Sequence, residues 1–445
     1  MSMKFTIREI ADACKGKVFG DGSHSVNGVS IDTRTLQRGE IFIPLIAERD
    51  GHDYVREAFE QGAGAHLFSH GNAVGTAVQV ENTLVALQDL AKHARGRIDG
   101  NVIGITGSVG KTTTKDIAYA CLSGTYPTHV SKFSYNNEIG VPVTLLSCDD
   151  SIGPCVVVLE MGARGPGQIR ELCEIASPDI GVVTQVSAAH TEFFESEAQI
   201  ALTKGELIGS LPSHGTAILN ADDPLVWEMR SRTQANVLAF SVDSFGDVVA
   251  SDIVMEKNMC ASFTLTTPWG SEVVDLNIPG VHNISNALAA VSVGLALGVE
   301  QSALVESLNQ IELSPMRMDL RHLADGTLVI NDSYNANPAS MNAAIDTLLL
   351  SEAEIKIAVL GLMAELGDRS EAEHASIGNR LKTAGVHVIS VGVEEYGGVH
   401  VSSWEEAGMK LDEGDLLGSN SVVLVKGSRV AGLENLANAL YKEVT

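Results

Sequence analysis

Positive charge is what this 445-residue chain lacks: 30 lysines and arginines face 56 aspartates and glutamates, leaving a net charge of −26. Nucleic acid and anionic membrane both need a clustered basic face, so neither is an expected partner. An anionic small molecule is admitted only through local basic pockets. Long hydrophobic runs are missing as well. The longest apolar stretch, roughly 287–299, is too short to span a bilayer and is broken by serine and glycine. The opening "MSMKFTIREIADACKGKV" carries Lys4, Arg8, Glu9 and Asp12 with no apolar central region, which is not the pattern of a secretory leader. Cysteine is sparse. The six, at 14, 121, 148, 155, 173 and 260, form no C-x-x-C pair and no regular framework. Reduced, packed thiols in a cytoplasmic protein are expected.

What is present is the composition of a globular protein, with 44% hydrophobic residues and a length that predicts two or three domains. Three blocks emerge. Residues 1–97 mix short alternating strands, "VNGVSIDT" and "GEIFIPLI", with a helical "DYVREAFEQGA". The polar stretch "ARGRIDG" (94–100) reads as a linker. Residues 98–313 open with the apolar strand "NVIGIT", a glycine loop and the helix "KTTTKDIAYACL", followed by "CVVVLE", "IGVVTQV" and "TAILN". Continuous apolar strands alternating with helices predict a parallel sheet covered on both faces. Residues 314–445 repeat that alternation from "TLVIND" to "SVVLVKG", a second, Rossmann-like α/β unit. The fold class is therefore α/β, in three units.

The glycine loop poses a question. A nucleotide-binding P-loop reads G-x-x-x-x-G-K-[ST]. Gly110, Lys111 and Thr112 fit, but the expected first glycine is Ile105 and the glycine stands at Gly107. Strand and helix flank the run Gly107-Ser108-Val109-Gly110-Lys111-Thr112-Thr113 as a phosphate site needs. Lys111 is then placed for the outer phosphates and the Thr112 hydroxyl for magnesium. Glu160 closes a buried strand, where a Walker-B carboxylate sits beside the P-loop magnesium in such folds; a solvent-facing strand end is the plain alternative. His190 follows another apolar strand at the same sheet edge. Lys204, in "ALTKGEL", is by pattern only a helix-surface lysine. In the third block, "INDSYNANP" crowds Asp332, Ser333, Tyr334, Asn335 and Asn337 onto one turn, which suits a ligand crevice or an Asn/Pro turn made for its own backbone.

Together these pieces resemble the muramyl (Mur) ligase family of ATP-dependent amide-forming enzymes, whose loop places its glycine at the Gly107 position. "NDSYNANPASMNAAIDTL" and "SYNNEIGVPVTLL" are most similar to the member that joins D-alanyl-D-alanine to UDP-N-acetylmuramoyl-tripeptide. The resemblance implies a cytoplasmic, monomeric enzyme that uses ATP and Mg²⁺ in peptidoglycan precursor synthesis. It implies a first domain binding the UDP part of the substrate, a second binding ATP and a third closing over both. "DTRTLQRGEIFIPL" and "DGHDY" place Thr33 and Arg34 near the uridine nucleotide, and Asn136 and Asn137 near the muramyl substrate. Glu160 and His190 match magnesium ligands, and Lys204 matches a lysine that becomes carbamylated and holds a second metal. Asn283 and Asn286, in "GVHNISNALAA", lie near adenine by the same match. Arg317 and Asp332 match contacts to ATP, and Ser428 and Arg429, in "LVKGSR", lie toward the incoming amine.

Some positions depart from the family pattern. Thr33 stands for a usual serine, Met316 for a usual glycine before Arg317, Leu362 for a frequent aspartate, and "SAAH" lacks a common proline. A sister ligase with another amino substrate, a folylpolyglutamate-like ligase, and an inactive nucleotide-binding homologue are the competing readings.

Overall fold

The buried apolar runs around the glycine loop form the spine of the molecule. The computed structural model describes residues 2–131, 134–187, 192–194, 196–242, 245–311, 313–414 and 416–442. Val102–Thr106, Val156–Glu160 and Ile180–Val183 are buried at every position, as strands covered on both faces must be. They pair in parallel, with Val102–Thr106 between the other two; Glu160 aligns with Ile105, and Val183 with Thr106. The carboxyl ends of these three strands therefore share one edge of the sheet. The chain leaves the central strand toward Thr128–Val130 on one side and later crosses to Ile180–Val183 on the other. That reversal opens a crevice above the strand ends, where α/β proteins bind ligands.

The central sheet has nine strands, and its far end departs from the expected parallel pattern. Val248–Met255, Cys260–Thr267 and Gly270–Pro279 form an antiparallel ribbon on its edge. Helix His282–Ala296 then returns across the sheet against the P-loop helix Lys111–Ser123.

A five-stranded sheet, Val29–Ser30 to Lys17–Phe19, precedes this unit, and a six-stranded sheet follows it. The latter is parallel except for its edge strand Asp319–His322, which pairs antiparallel with Leu328–Asn331. Leu328–Asn331 and Ser421–Lys426 are neighbours in register, so Asp332 and Lys426 leave the sheet side by side.

The first sheet is joined to the central one by more than chain continuity. Helix Thr83–Arg95, capped by the Asn82 side chain, buries Ala86, Leu87, Leu90, Ala91 and Ala94 on one face. It packs against helices Gly140–Leu146 and Gln168–Ala176, making one hydrophobic core across the boundary. The stretch 94–100 is accordingly a clasp rather than a free linker. Arg95 bonds to Asp179 and to the carbonyls of Ala176 and Ser177. Arg97 bonds to Asp150, to Glu9 and to the carbonyl of Lys4. All six cysteines are free and buried. Among the described residues no helix is long and apolar enough to cross a membrane.

Candidate active site

The displaced glycine has a steric reason. Ile105 is fully buried in its strand, whereas the chain at Gly107 adopts φ +155° against Thr184. A Cβ there would lie 1.9 Å from Thr184 Oγ1. Gly110 caps the following helix at φ +84°, where a Cβ would stand 2.3 Å from Asn286 Oδ1. Both positions require glycine; position 105 does not. The helix N-terminus then directs its free amides into the crevice.

Thr112 is the meeting point. Its buried hydroxyl donates to Glu160 Oε2 at 2.7 Å and accepts from Arg317 Nη2 at 2.8 Å. Asn136 Nδ2 donates to the other carboxylate oxygen of Glu160 at 2.8 Å, and Ser134 Oγ lies 3.3 Å from both Thr112 Oγ1 and Arg317 Nη2. A buried hydroxyl and carboxylate are the hard oxygen donors that Mg²⁺ selects. Arg317 stacks on the Tyr334 ring at 4.3 Å, and its Nε is buried without a hydrogen-bond partner. A guanidinium lining the cavity beside a helix N-terminus fits an anionic ligand.

Lys111 Nζ donates to the Gly107 carbonyl at 2.7 Å. Burial pushes its ammonium below the ordinary range; Glu160 opposes that shift and Arg317 adds to it. Lys204 is not the surface residue its pattern predicts. It is buried, its Nζ donates to the same Gly107 carbonyl at 2.9 Å, and burial, then Lys111, push it well below the ordinary range. His190 lies outside the described residues.

Lys111, Thr112, Ser134, Asn136, Glu160 and Arg317 line a cavity of about 420 Å³ between the central and third sheets, whereas Gly107 and Lys204 are not among its lining residues. Ser108, Val109, Thr113, Asn283 and Asn286 form one wall, with Asn286 Nδ2 donating to Asn283 Oδ1 and Asn283 Nδ2 to the Pro279 carbonyl. Asp332, Tyr334, Asn335 and Asn337 face them. Asp332 pairs with buried Lys426 at 2.5 Å, and Asn337 caps helix Pro338–Leu350 through Ser340. Besides Gly107 and Lys204, three expected residues of the central and third units stand outside this cavity, among the described residues. Asn137 is exposed, with its side-chain carbonyl on the Gly140 amide; buried Ser428 clamps Ala364 N and Ala336 O; Arg429 pairs with Glu434 at 3.2 Å.

Thr33 and Arg34 line a separate cavity of about 1100 Å³ on the first sheet, reached also by Tyr135, Val143 and Thr144 of the central unit. Thr33 Oγ1 donates to Glu57 at 2.7 Å, while Arg34 is exposed and held on Asp32. Nearby, Asp50, His52 and His70 form a metal-like triad. His52 Nε2 accepts from the Ser69 amide at 3.0 Å, however, so its Nδ1 holds the proton and donates to Asp50. That is a hydrogen-bonded clasp, and the ring nitrogen nearest Asp50 is not free for a cation.

The model of the Mur ligase middle domain matches residues 105–294, and that of the Mur ligase glutamate ligase domain matches residues 316–429. UDP-N-acetylmuramoyl-tripeptide–D-alanyl-D-alanine ligase of Escherichia coli (strain K12) is 34% identical over 452 residues, covering 99% of each chain. The chain belongs to the Mur ligase family. The enzyme of the same name from Bacillus subtilis (strain 168) is 35% identical over 84% of this Mur ligase and 82% of its own length. Among solved structures, MurF from Acinetobacter baumannii superposes with a TM-score of 0.90 at 29% identity, covering 99% of each chain. MurF from Thermotoga maritima in complex with ADP gives 0.83 at 29%, covering 94% of this chain and 97% of that one.

Several residues of this Mur ligase site carry no mark in the sequence. Thr184 and Asp222 line the cavity without any motif to single them out, and Ser134 lies in the quoted "SYNNEIGVPVTLL" without being named as a site residue. Lys426 carried a signal that was there to use, since it ends a buried strand just as Glu160 does.

Proposed function

We propose that the chain is the ATP-dependent, ADP- and phosphate-forming ligase that joins D-alanyl-D-alanine to UDP-N-acetylmuramoyl-tripeptide in peptidoglycan precursor synthesis. The observation that carries the reading is the convergence on Thr112: the P-loop helix, the Glu160 carboxylate and Arg317 of the third unit meet within hydrogen-bond distance. Full-length similarity to ligases of that name supports the substrate choice.

A carboxylate does not condense with an amine unaided, because its oxygen is a poor leaving group. Phosphorylating the tripeptide's terminal carboxylate with ATP gives an acyl phosphate; the dipeptide amine attacks its carbonyl carbon, and phosphate departs. In this reading Lys111 and the helix amides hold the outer phosphates, and Arg317 turns its guanidinium toward the transferring group. Asn283 and Asn286 lie toward the base, and Asp332, oriented by Lys426, toward the rest of the nucleotide. Thr112, Glu160, His190 and carbamylated Lys204 would hold Mg²⁺, which when bound neutralises charge on the phosphoryl group. The buried amine of Lys204 is suited to carbamylation, since only the neutral form reacts with carbon dioxide. Thr33 and Arg34 serve the uridine nucleotide; Asn136 and Asn137 meet the muramyl part; Tyr334, Asn335, Asn337, Ser428 and Arg429 lie toward the acyl and amine substrates.

The division into a UDP-substrate domain (1–97), an ATP domain (98–313) and a closing ligase domain (314–445) is supported by the three larger sheets, of five, nine and six strands, which follow one another along the chain. The reading carries with it a cytoplasmic enzyme that works as a monomer. A single assay tests the activity: phosphate release and amide product, by mass spectrometry, with ATP, UDP-muramyl tripeptide and D-alanyl-D-alanine. Faster release with L-lysine, diaminopimelate or glutamate as the amine would assign a sister activity. Absence of amide with every amine would leave a nucleotide-binding homologue.

A further inference from the structure

Two buried charges on the P-loop helix take no part in the phosphoryl chemistry. Lys115 and Asp116 stand one turn beyond Lys111 and Thr112, with side chains 2% and 10% exposed, and pair at 3.2 Å. Lys115 Nζ donates to the Ser131 carbonyl at 2.9 Å, at the start of the segment that carries Ser134 and Asn136 into the site. Asp116 Oδ2 accepts from the backbone amide of Ser314 at 2.9 Å.

Ser314 stands close to Arg317 along the chain, with only Pro315 and Met316 between them. Pro315 has a locked φ, and Met316 sits at φ +63°, so the spacer has little freedom. At its far end the Met316 carbonyl accepts from Tyr334 N at 3.2 Å, and just beyond it Met318 N donates to Asp332 at 3.2 Å. The segment is thus fastened to the third unit at one end and to the P-loop helix at the other. Arg317 projects from between these fastenings onto Thr112.

We propose that Asp116 is a positioning residue that acts through the Ser314 backbone to set the Arg317 guanidinium against Thr112. The P-loop helix then determines both halves of the phosphate site: directly through Lys111 and Thr112, and indirectly through the place at which the third unit is tethered. The proposal rests on the reading of Arg317 as a nucleotide contact.

The test is a double-mutant cycle in the full chain, read as kcat/KM for ATP in phosphate release, with thermal melting as the check on folding. Asp116→Ala removes the acceptor for Ser314 N and is expected to lower kcat/KM between about 10- and 100-fold, as a displaced positioning group does. Asp116→Asn keeps a carbonyl oxygen at that place and should recover activity to within about threefold of wild type. In an Arg317→Ala background, Asp116→Ala should add less than about twofold, because the residue it positions is gone. An equal penalty in both backgrounds, or an Asn variant as impaired as the Ala variant, overturns the proposal. Should Asp116→Ala not fold, Asp116→Ser, whose hydroxyl is one bond too short for the Ser314 amide, serves in the same cycle. Unchanged ATP kinetics in Arg317→Ala alone would instead refute the reading of Arg317, so the two failures are separable.

Discussion

Lys111 and Lys204 direct their ammonium groups at one acceptor, the Gly107 carbonyl oxygen, which lies 2.7 Å from the first Nζ and 2.9 Å from the second. Lys111 beside it adds to the burial that disfavours the charged form of Lys204, and a carbamate on Lys204 would turn that opposition into attraction. Lys204→Met keeps the side-chain length and removes the charge. It should lose turnover by at least about 10², yet melt at or above the wild-type temperature. Lys204→Arg should be as inactive, because it keeps a positive charge. Full turnover in the Arg variant would rule out the carbamate.

The same lysine gives a pH dependence. Its folded-state value lies well below the unfolded one, chiefly through burial. Its cost to stability is therefore complete below the folded value and vanishes as pH rises to the unfolded value of about 10.4. The gap in melting temperature between Lys204→Met and wild type should be widest at low pH and narrow as pH rises. A gap that widens with pH would contradict the burial argument.

Gly107→Ala should destabilise the protein by about 2 kcal/mol or more, from positive φ and a Cβ driven onto Thr184 Oγ1. Thr184→Ala removes the nearest atom and should recover part of the loss. Denaturant melts of the two single variants and the double variant check this, and strict additivity would show that Thr184 is not the obstacle.

What could be read in the sequence was whatever a local pattern expresses. Glu160 was legible because it ends an all-apolar strand, and the P-loop because glycine, lysine and threonine sit between strand and helix. Lys204 was not legible from pattern. Its helix buries Ile200, Ala201, Thr203, Gly205, Leu207 and Ile208 around it, so no polar stripe or apolar stripe marks its side. The ribbon 248–279 shows the period-two burial of an antiparallel sheet in Cys260–Thr267, but a parallel, doubly wound reading has no place for it. Arg95 and Arg97 looked like linker residues because their partners, Asp179 and Asp150, are distant in sequence.

Met316 holds a left-handed conformation that a methionine adopts at a cost, where glycine would be free. Glycine also loses more entropy on folding, by about 0.5–1 kcal/mol. The two effects offset, so Met316→Gly should change stability by less than about 1 kcal/mol. Met316→Val, branched at Cβ, should cost more and raise KM for ATP by displacing Arg317. Equal stability of the Gly and Val variants would show that backbone conformation at this position is not limiting.

Arg97 is the test of how the first unit is held. Its guanidinium reaches Asp150 in the central unit, Glu9 and the Lys4 carbonyl in the first, and lies 4.8 Å from the centre of the Phe5 ring. The group is partly buried, with 28% of its side chain exposed, so its contacts are less screened than those of a surface pair. Arg97→Ala should cost about 1–3 kcal/mol, the range for losing charged hydrogen bonds and leaving their acceptors unpaired. Arg97→Lys should recover little, because a single ammonium cannot serve three acceptors set around a planar fork. The catalytic consequence should be selective. The cavity containing Thr33 and Arg34 is completed by Tyr135, Val143 and Thr144 from the other side of this junction. Loosening it should therefore raise KM for the UDP-muramyl substrate several-fold while leaving KM for ATP within about twofold. Steady-state kinetics with each substrate varied in turn distinguish the two, and equal increases in both constants would mean that Arg97 supports the fold at large rather than the placement of the first unit.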